Sequence, residues 1–387
     1  MSEAIAPTPA PVVRWSEQGV DHVARWRSER GAPPPKRVEV VDDTLRADDA
    51  FSLATQGTGL LWRGDFHNAR QLLVALAHRV DRAPRRSPPA GASPVDVFNR
   101  VRMARAQRAR TLGALLVPLE ADHGIPLRRA PDLRAACTEA WGPGGEGPSV
   151  VSLRELQGLV GAHEWRVNGI EVPAAGGRIH PHYGVFAPTR REYVGLVAEA
   201  PLGPAVVGAP RAFDIGTGTG VLAAVLARRG FGRVVATDTD PRALACAREN
   251  IERLGLASRV DVTAADLFPE GRAAIVVCNP PWLPARPASP LERAVYDEGS
   301  RMLRGFLDGL AAHLEPGGEG WLVLSDLAER LGLRSREALT GWIAAAGLRV
   351  LARMDARPAH PKALDRSDPL NVARAGEVTS LWRLGVA

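Results

Sequence analysis

Beyond residue 210 the chain alternates short apolar runs with helix-patterned stretches, and this alternation restricts the fold more than any other feature. A-F-D-I (212–215), V-V-A-T (234–237), V-D-V-T (260–263) and A-A-I-V-V-C (273–278) read as strands. The helical patterns V-L-A-A-V-L-A-R-R (221–229) and A-L-A-C-A-R-E-N-I-E-R-L (243–254) separate the first three. Strands this apolar, linked by helices, belong to a parallel sheet covered on both faces. Three more strand patterns follow, W-L-V-L-S-D (321–326), L-R-V-L-A-R-M (348–354) and E-V-T-S-L-W-R-L (377–384).

The strand ends carry the chemistry. The first runs into G-T-G-T-G, with Asp214 before Gly216, Gly218 and Gly220. Glycines permit positive φ and close backbone approach, and the helix that follows presents its electropositive end. The spacing is G-x-G-x-G rather than the G-x-G-x-x-G of dinucleotide sites. A carboxylate so close to the turn opposes a pyrophosphate and suits a ligand carrying a cation. The second strand ends at Asp238, where an acid can accept from both hydroxyls of a ribose. Asp240-Pro241 then opens a helix as N-cap and first-turn proline. The third strand leads to Asp266, Leu267 and Phe268. A carboxylate there can accept from an adenine amino group while the apolar neighbours flank the ring. The fourth ends in Asn279-Pro280-Pro281-Trp282. Alone, two prolines after a strand are a turn, because proline lacks the N–H and fixes φ.

In series, D-x-G-x-G-x-G, an acid ending the second strand, A-D-L-F after the third and N-P-P-aromatic after the fourth resemble the class I S-adenosylmethionine-dependent methyltransferases. The resemblance covers about residues 180–387. It implies a Rossmann-like, seven-stranded, mostly parallel sheet with an antiparallel last strand, and S-adenosylmethionine as methyl donor without a metal. It places Asp214 near the methionine amino group, and Gly216, Thr217, Gly218 and Gly220 beneath the cofactor. Asp238 and Thr239 then fall at the ribose, Asp266 and Leu267 at the adenine, and Asn279 between cofactor and acceptor. The N-P-P-W variant resembles the enzymes that methylate planar nitrogens, either a glutamine amide or the exocyclic amine of a base. Such a nitrogen is a poor nucleophile, its lone pair being delocalised. Asn279 Oδ1 and the Pro280 carbonyl can each accept one of its N–H groups, Pro281 stiffens the turn, and Trp282 is expected to stack on the flat group.

The order of segments resembles the protein-glutamine methyltransferases that modify release factors, with F-A-P-T-R-R-E-Y (186–193) standing where they carry I-P-R-P-x-T-E. Base methyltransferases of ribosomal RNA share the tetrad. The expected partner is therefore a macromolecule, a translation-factor-like protein or an RNA; a small-molecule amine is the alternative. A nicotinamide-dependent oxidoreductase is opposed by the glycine spacing.

The remaining chain reads as a disordered tail (1–13), a mainly helical substrate-recognition domain (14–148), a β-hairpin connector turning at Asn168-Gly169 (149–187) and the catalytic domain (188–387). The best helix is G-D-F-H-N-A-R-Q-L-L-V-A-L-A-H-R-V (64–80), with Asp65 as N-cap and an apolar stripe from Phe66 to Val80. P-R-R-S-P-P-A-G-A-S-P (84–94) reads as a linker. Of Arg102, Arg105, Arg108 and Arg110, the first three lie at i, i+3 and i+6 and share a solvated or phosphate-binding face. A net charge of +6 gives nucleic-acid binding only slight support. Residues 283–300 form a Pro-rich loop suited to gripping substrate, and Arg357, His360, Lys362 and Arg366 a polar loop beside it. His180 and His182 have no cysteine or carboxylate partner in sequence and read as a polar loop rather than metal ligands. Cys137, Cys246 and Cys278 are too scattered for a disulfide framework. No apolar run reaches eighteen residues and the start, M-S-E-A-I-A-P, lacks a signal-peptide pattern, so a cytoplasmic, non-membrane protein is expected. Oligomeric state is left open.

Overall fold

The protein is described by a computed structural model covering residues 10–82, 91–145, 147–203, 205–208, 210–358, 365 and 368–387. It divides into two compact units, residues 1–87 with 102–163, and residues 88–101 with 164–387.

The first unit holds a six-stranded sheet, β1 (Val12–Glu17), β2 (Val20–Arg27), β3 (Arg37–Val41), β4 (Thr58–Trp62), β5 (Leu115–Leu119) and β6 (Ser149–Ser152), in the order β1-β2-β6-β5-β4-β3. Its helices are α1 (Ala47–Thr55), α2 (Phe66–Arg82), α3 (Pro94–Gly113), α4 (Arg134–Trp141) and α5 (Leu153–Asn168), of which the first eight residues of α3 and the last five of α5 fall in the second unit. The expectation of a mainly helical region over 14–148 is thus corrected. Of these strands, β4, β5 and β6 were hidden because they are buried along their whole length, so they show no alternation and read like stretches of core helix. The first strand also begins inside the expected tail, at Val12, while residues 1–9 lie outside the described ones. β1 and β2 are joined by Gln18-Gly19, both at positive φ (53° and 79°), as a two-residue hairpin turn of the primed type requires. Helix α2 forms as its pattern demands: Asp65 Oδ1 accepts the His67 N–H at 2.9 Å, and Phe66, Ala69, Leu72, Leu73 and Leu76 are buried.

The connector differs as well. Asn168-Gly169 ends α5 instead of turning a hairpin: Gly169 is left-handed (φ 65°) and its N–H reaches the Trp165 carbonyl at 2.9 Å, the glycine stop of a helix. The hairpin lies further on, β7 (Ile170–Val172) against β8 (Gly177–Ile179). The 84–94 linker lies largely outside the described residues, as do His360, Lys362 and Arg366. In the arginine face, Arg108 is engaged by Asp81 through two hydrogen bonds of 2.9 and 3.0 Å.

The second unit contains the expected sheet: β9 (Arg211–Ile215), β10 (Arg233–Asp238), β11 (Val260–Ala264), β12 (Ala273–Cys278), β13 (Leu314–Ser325), β14 (Leu348–Ala356) and β15 (Thr379–Val386). The order is β11-β10-β9-β12-β13-β15-β14, with β15 antiparallel to both neighbours and every other pair parallel. Its helices are α6 (Arg191–Glu199), α7 (Val221–Arg228), α8 (Pro241–Arg253), α9 (Arg301–His313), α10 (Leu327–Arg330), α11 (Arg336–Ala345) and α12 (Asn371–Ala375). Alternate strand residues feed two cores. Ala212 and Val277 join Val225 and Val197 on one face; Phe213 and Val276 join Phe306 and Ile343 on the other. β12 is buried at all six positions, which explains its unbroken apolar run. The strand order reverses between β9 and β12, and a crevice beyond the carboxyl ends of such strands is where this sheet type binds ligands.

Candidate active site

Register brings the strand-end motifs together. Ile215 lies beside Thr237 of β10 and Cys278 of β12, so Gly216, Asp238 and Asn279 leave the sheet side by side at one edge. Asp214, one residue inside β9, is buried. Its Oδ2 accepts the Thr217 hydroxyl at 2.7 Å and the Ala223 N–H at 2.9 Å. Burial pushes its carboxyl up to about 6 against the pull of those two donors, with the Asp238 charge adding to the rise.

The turn after Asp214 is left-handed at Gly216, Gly218 and Gly220 (φ 71°, 54° and 79°). At Gly218 a Cβ would meet nothing within 4 Å; the backbone angle is what calls for glycine there, and this part of the turn faces open space. The Gly218 N–H donates to Asp238 Oδ2 and the Asp240 N–H to Asp238 Oδ1, each at 3.0 Å. Asp238 therefore ties the glycine turn to the end of β10, and Thr239 beside it is exposed. Asp240 caps α8 by accepting the Arg242 N–H at 2.8 Å.

At the third strand end Asp266 is exposed and paired with Arg301 at 2.6 Å. Leu267 is left-handed (φ 73°), an uncommon state for a leucine, and its carbonyl accepts the Thr237 hydroxyl at 2.6 Å. The expectation that Leu267 and Phe268 flank a ligand ring needs correction for Phe268, whose ring stacks on His313 (4.2 Å) and Phe306 (5.9 Å). Helix α9 makes room with glycines one turn apart. A Cβ on Gly305 would come within 2.6 Å of Leu267, and one on Gly309 within 2.5 Å of Phe268.

The tetrad follows β12. The Trp282 indole N–H donates to Asn279 Oδ1 at 2.9 Å. An indole nitrogen only donates, so this bond fixes which terminal atom of the asparagine is oxygen. One face of Trp282 is covered by the Arg190 guanidinium, 4.6 Å from the ring centroid. Arg190 donates to Glu192 at 2.6 Å and twice to Glu377 at 3.0 Å, and Ser325 also donates to Glu377, at 2.5 Å. The loop beyond the tetrad is closed at its base, with Leu283 bridged to Tyr296 and the Asp297 N–H donating to the Leu283 carbonyl at 2.9 Å. Asp297 then caps α9 through the Met302 and Leu303 N–H groups.

His182 is engaged by Glu249 at 2.7 Å, and His180 by the Arg166 carbonyl at 2.6 Å and Asn250. Burial alone would raise the Glu249 carboxyl, but hydrogen bonds from Arg253 and His182 and the Arg166 charge outweigh it and hold it at about 2. His182 thus pairs with α8 through its ring, and His180 with α5 through its ring and with α8 through its backbone N–H. Among the described residues no cluster of three His, Cys, Asp or Glu side chains could hold a metal ion, and no helix is long and apolar enough to cross a membrane. The three cysteines are free and buried.

Arg190, Glu192, Glu377 and Ser325 escaped the sequence reading. The only trace was R-R-E-Y, the stretch that departs from I-P-R-P-x-T-E. Nothing in the spacing links it to a glutamate 187 residues downstream.

Residues 202–332 match the family model of the methyltransferase small domain. The chain is similar to a release factor glutamine methyltransferase from Cereibacter sphaeroides, 35% identical over 162 residues that make up 37% of this chain and 55% of that protein. It is 52% identical over 69 residues to a ribosomal protein L11 methyltransferase from Pelotomaculum thermopropionicum, covering 17% of this chain and 22% of the relative. Among solved structures, a methyltransferase from Pyrococcus furiosus aligns with a TM-score of 0.35 at 21% identity, over 53% of this chain and 91% of that one. The chain thus spans about half or less of the length of these curated relatives.

Proposed function

We propose, from the premise that the second unit is a class I S-adenosylmethionine-dependent methyltransferase domain, that this protein methylates a planar nitrogen of a macromolecule, with a protein side-chain amide as the favoured acceptor. The observation that carries the reading is Asn279. It stands at the end of β12 beside the glycine turn, its Oδ1 oriented by the Trp282 indole.

The residues fit the cofactor. The Gly218 stretch is left-handed and open, Asp238 sits at the strand end beside it, and Asp214 provides a buried carboxylate for a cationic amino group. When bound, S-adenosylmethionine supplies an electrophilic methyl group on a sulfonium. Asp238 would hold the ribose with lone pairs left over from its two backbone bonds, and Asp266 would accept from the adenine beside Leu267. Thr239 is exposed beside Asp238, and Thr217 would act on the site through its hydroxyl bond to Asp214.

On the acceptor side, Asn279 Oδ1 keeps one lone pair after taking the indole N–H. Together with the Pro280 carbonyl it can accept both N–H groups of an amide or aromatic amine. That arrangement draws the nitrogen lone pair out of conjugation and aims it at the methyl carbon, while the prolines hold the two acceptors rigid. The work is positioning and electrostatics. The nitrogen lone pair would form the N–C bond as the S–C bond of the sulfonium breaks and leaves a neutral thioether. The proton would then pass from the methylated nitrogen to solvent, so no strong base is required at the start. Trp282 packs against both cores of the sheet and has Arg190 over its ring, so only the ring surface left by these contacts would meet a flat acceptor. The protein-amide reading is supported by the relative named for glutamine methylation.

The test is to incubate the protein with methyl-labelled S-adenosylmethionine and lysate from cells lacking it, then separate RNA, protein and small molecules. Label in protein that survives RNase is expected. RNase-sensitive label would replace the amide by a base amine, and label in neither macromolecule would reject the reading.

A further inference from the structure

We propose that Arg190 and Glu377 are positioning residues that hold Trp282, and through it the Asn279 amide, in the orientation methyl transfer needs. The inference rests on the N-methyltransferase reading above, but its physical core is a chain of contacts that can be tested without any acceptor.

The chain begins where β13 ends and β15 starts. The Val378 N–H donates to Asp326 Oδ1 at 2.8 Å and the Asp326 N–H to the Val378 carbonyl at 3.0 Å. This pins the backbone next to Glu377. The Glu377 side chain is 5% exposed and takes the Ser325 hydroxyl and two Arg190 N–H groups on one oxygen, Oε1. Ser325 is itself fixed, its Oγ accepting the Leu327 N–H at 3.0 Å. Arg190 receives a second buried carboxylate, Glu192, on its Nε. A guanidinium gripped on two sides has its plane set. That plane lies over Trp282, and Trp282 delivers its N–H to Asn279.

Each link depends on the geometry of the one before. A lysine at 190 would keep the charge but lose the planar fork and the flat stacking surface. A glutamine at 377 would keep volume and the Ser325 bond but lose the charge that orients the guanidinium. A phenylalanine at 282 would keep a ring beneath Arg190 but remove the N–H that fixes the amide. A tyrosine could not make this bond either, because its hydroxyl is placed at the far end of the ring. The tryptophan of N-P-P-W therefore has a role here besides presenting a flat face.

The experiment uses full-length protein labelled with ¹⁵N-tryptophan, the Trp282 indole signal being assigned by its absence in Trp282→Phe. Hydrogen exchange at that indole is expected to be slow in the wild type and about tenfold faster in both Arg190→Lys and Glu377→Gln, with S-adenosylmethionine affinity within about threefold of wild type. In single turnovers with labelled S-adenosylmethionine and the accepting lysate fraction at saturation, each variant is expected to transfer methyl about tenfold more slowly. Trp282→Phe combined with Arg190→Lys should be no slower than Trp282→Phe alone, because both act through the same bond. Unchanged indole exchange in the two folded variants, or additive losses in the double variant, would overturn the proposal. If the wild type transferred no label at all, the N-methyltransferase reading would fail, while the exchange data would still decide whether Arg190 and Glu377 hold Trp282.

Discussion

Asp238 is held by the N–H groups of Gly218 and Asp240, twenty and two residues away in sequence, whereas Arg190 is held by Glu377, 187 residues along the chain. The side proposed to face the methyl donor is tied together largely by backbone N–H groups near consecutive strand ends, with the Arg301 side chain on Asp266 as an addition. The side proposed to face the acceptor is assembled from side chains of distant segments. At Asp238 both donors are backbone N–H groups, one from the glycine turn and one from the start of α8, and the left-handed glycines answer to the turn's own backbone angles. Side-chain assembly depends on residues far apart in the chain, and function resides in such sites rather than in the sheet that carries them.

The contrast can be broken by substitutions on either side. The largest effect is expected on the acceptor side: Asn279→Ala should reduce methyl transfer by about 10²- to 10³-fold, measured in single turnovers. Less severe, and on the donor side, is a pH effect from Asp214. Burial raises its folded-state carboxyl from 3.8 to about 6, so the folded protein keeps a proton that the unfolded chain releases. This stabilising contribution is full below about pH 4 and is lost as pH rises through about 6. Between those limits, denaturant titrations of the apo protein should show wild-type stability falling relative to Asp214→Asn by about 3 kcal/mol. Asp238→Ala removes the acceptor of two backbone donors and the proposed contact to the ribose. It should weaken S-adenosylmethionine binding by about 30-fold, or about 2 kcal/mol, as read by calorimetry. Glu249→Gln is expected to do least. It releases His182, Arg166 and Arg253 at a partly exposed site, and should lower stability by about 1 kcal/mol or less without changing donor affinity. An equal loss of donor affinity in Glu249→Gln and Asp238→Ala would erase the contrast.

The same division explains what could be read from the sequence. The seven-stranded sheet and its strand-end motifs were legible because each is a local pattern: an apolar run, then a turn residue with its own backbone requirement. Asp65 as helix cap and Asp240-Pro241 as helix start were legible for the same reason. The centre of the first unit's sheet was not, because β4 and β5 are five-residue strands without an exposed face and periodicity cannot tell them from helix. Asn168-Gly169 misled because glycine after asparagine serves a hairpin and a helix stop equally well; its neighbours in α5 decided the matter. Phe268 suited a ligand ring until α9 supplied His313 and Phe306 as partners. Arg190 and Glu377 had no local signature at all, as pairing across such a separation is a property of the folded chain.

Calorimetric titration of S-adenosylmethionine into the wild type, Asn279→Ala and Asp238→Ala tests the central claim most directly, that the donor side is complete without the acceptor side. One-to-one binding with an affinity within about threefold of wild type is predicted for Asn279→Ala, together with the marked loss in Asp238→Ala. Loss of binding in Asn279→Ala, or undiminished binding in Asp238→Ala, would contradict the account.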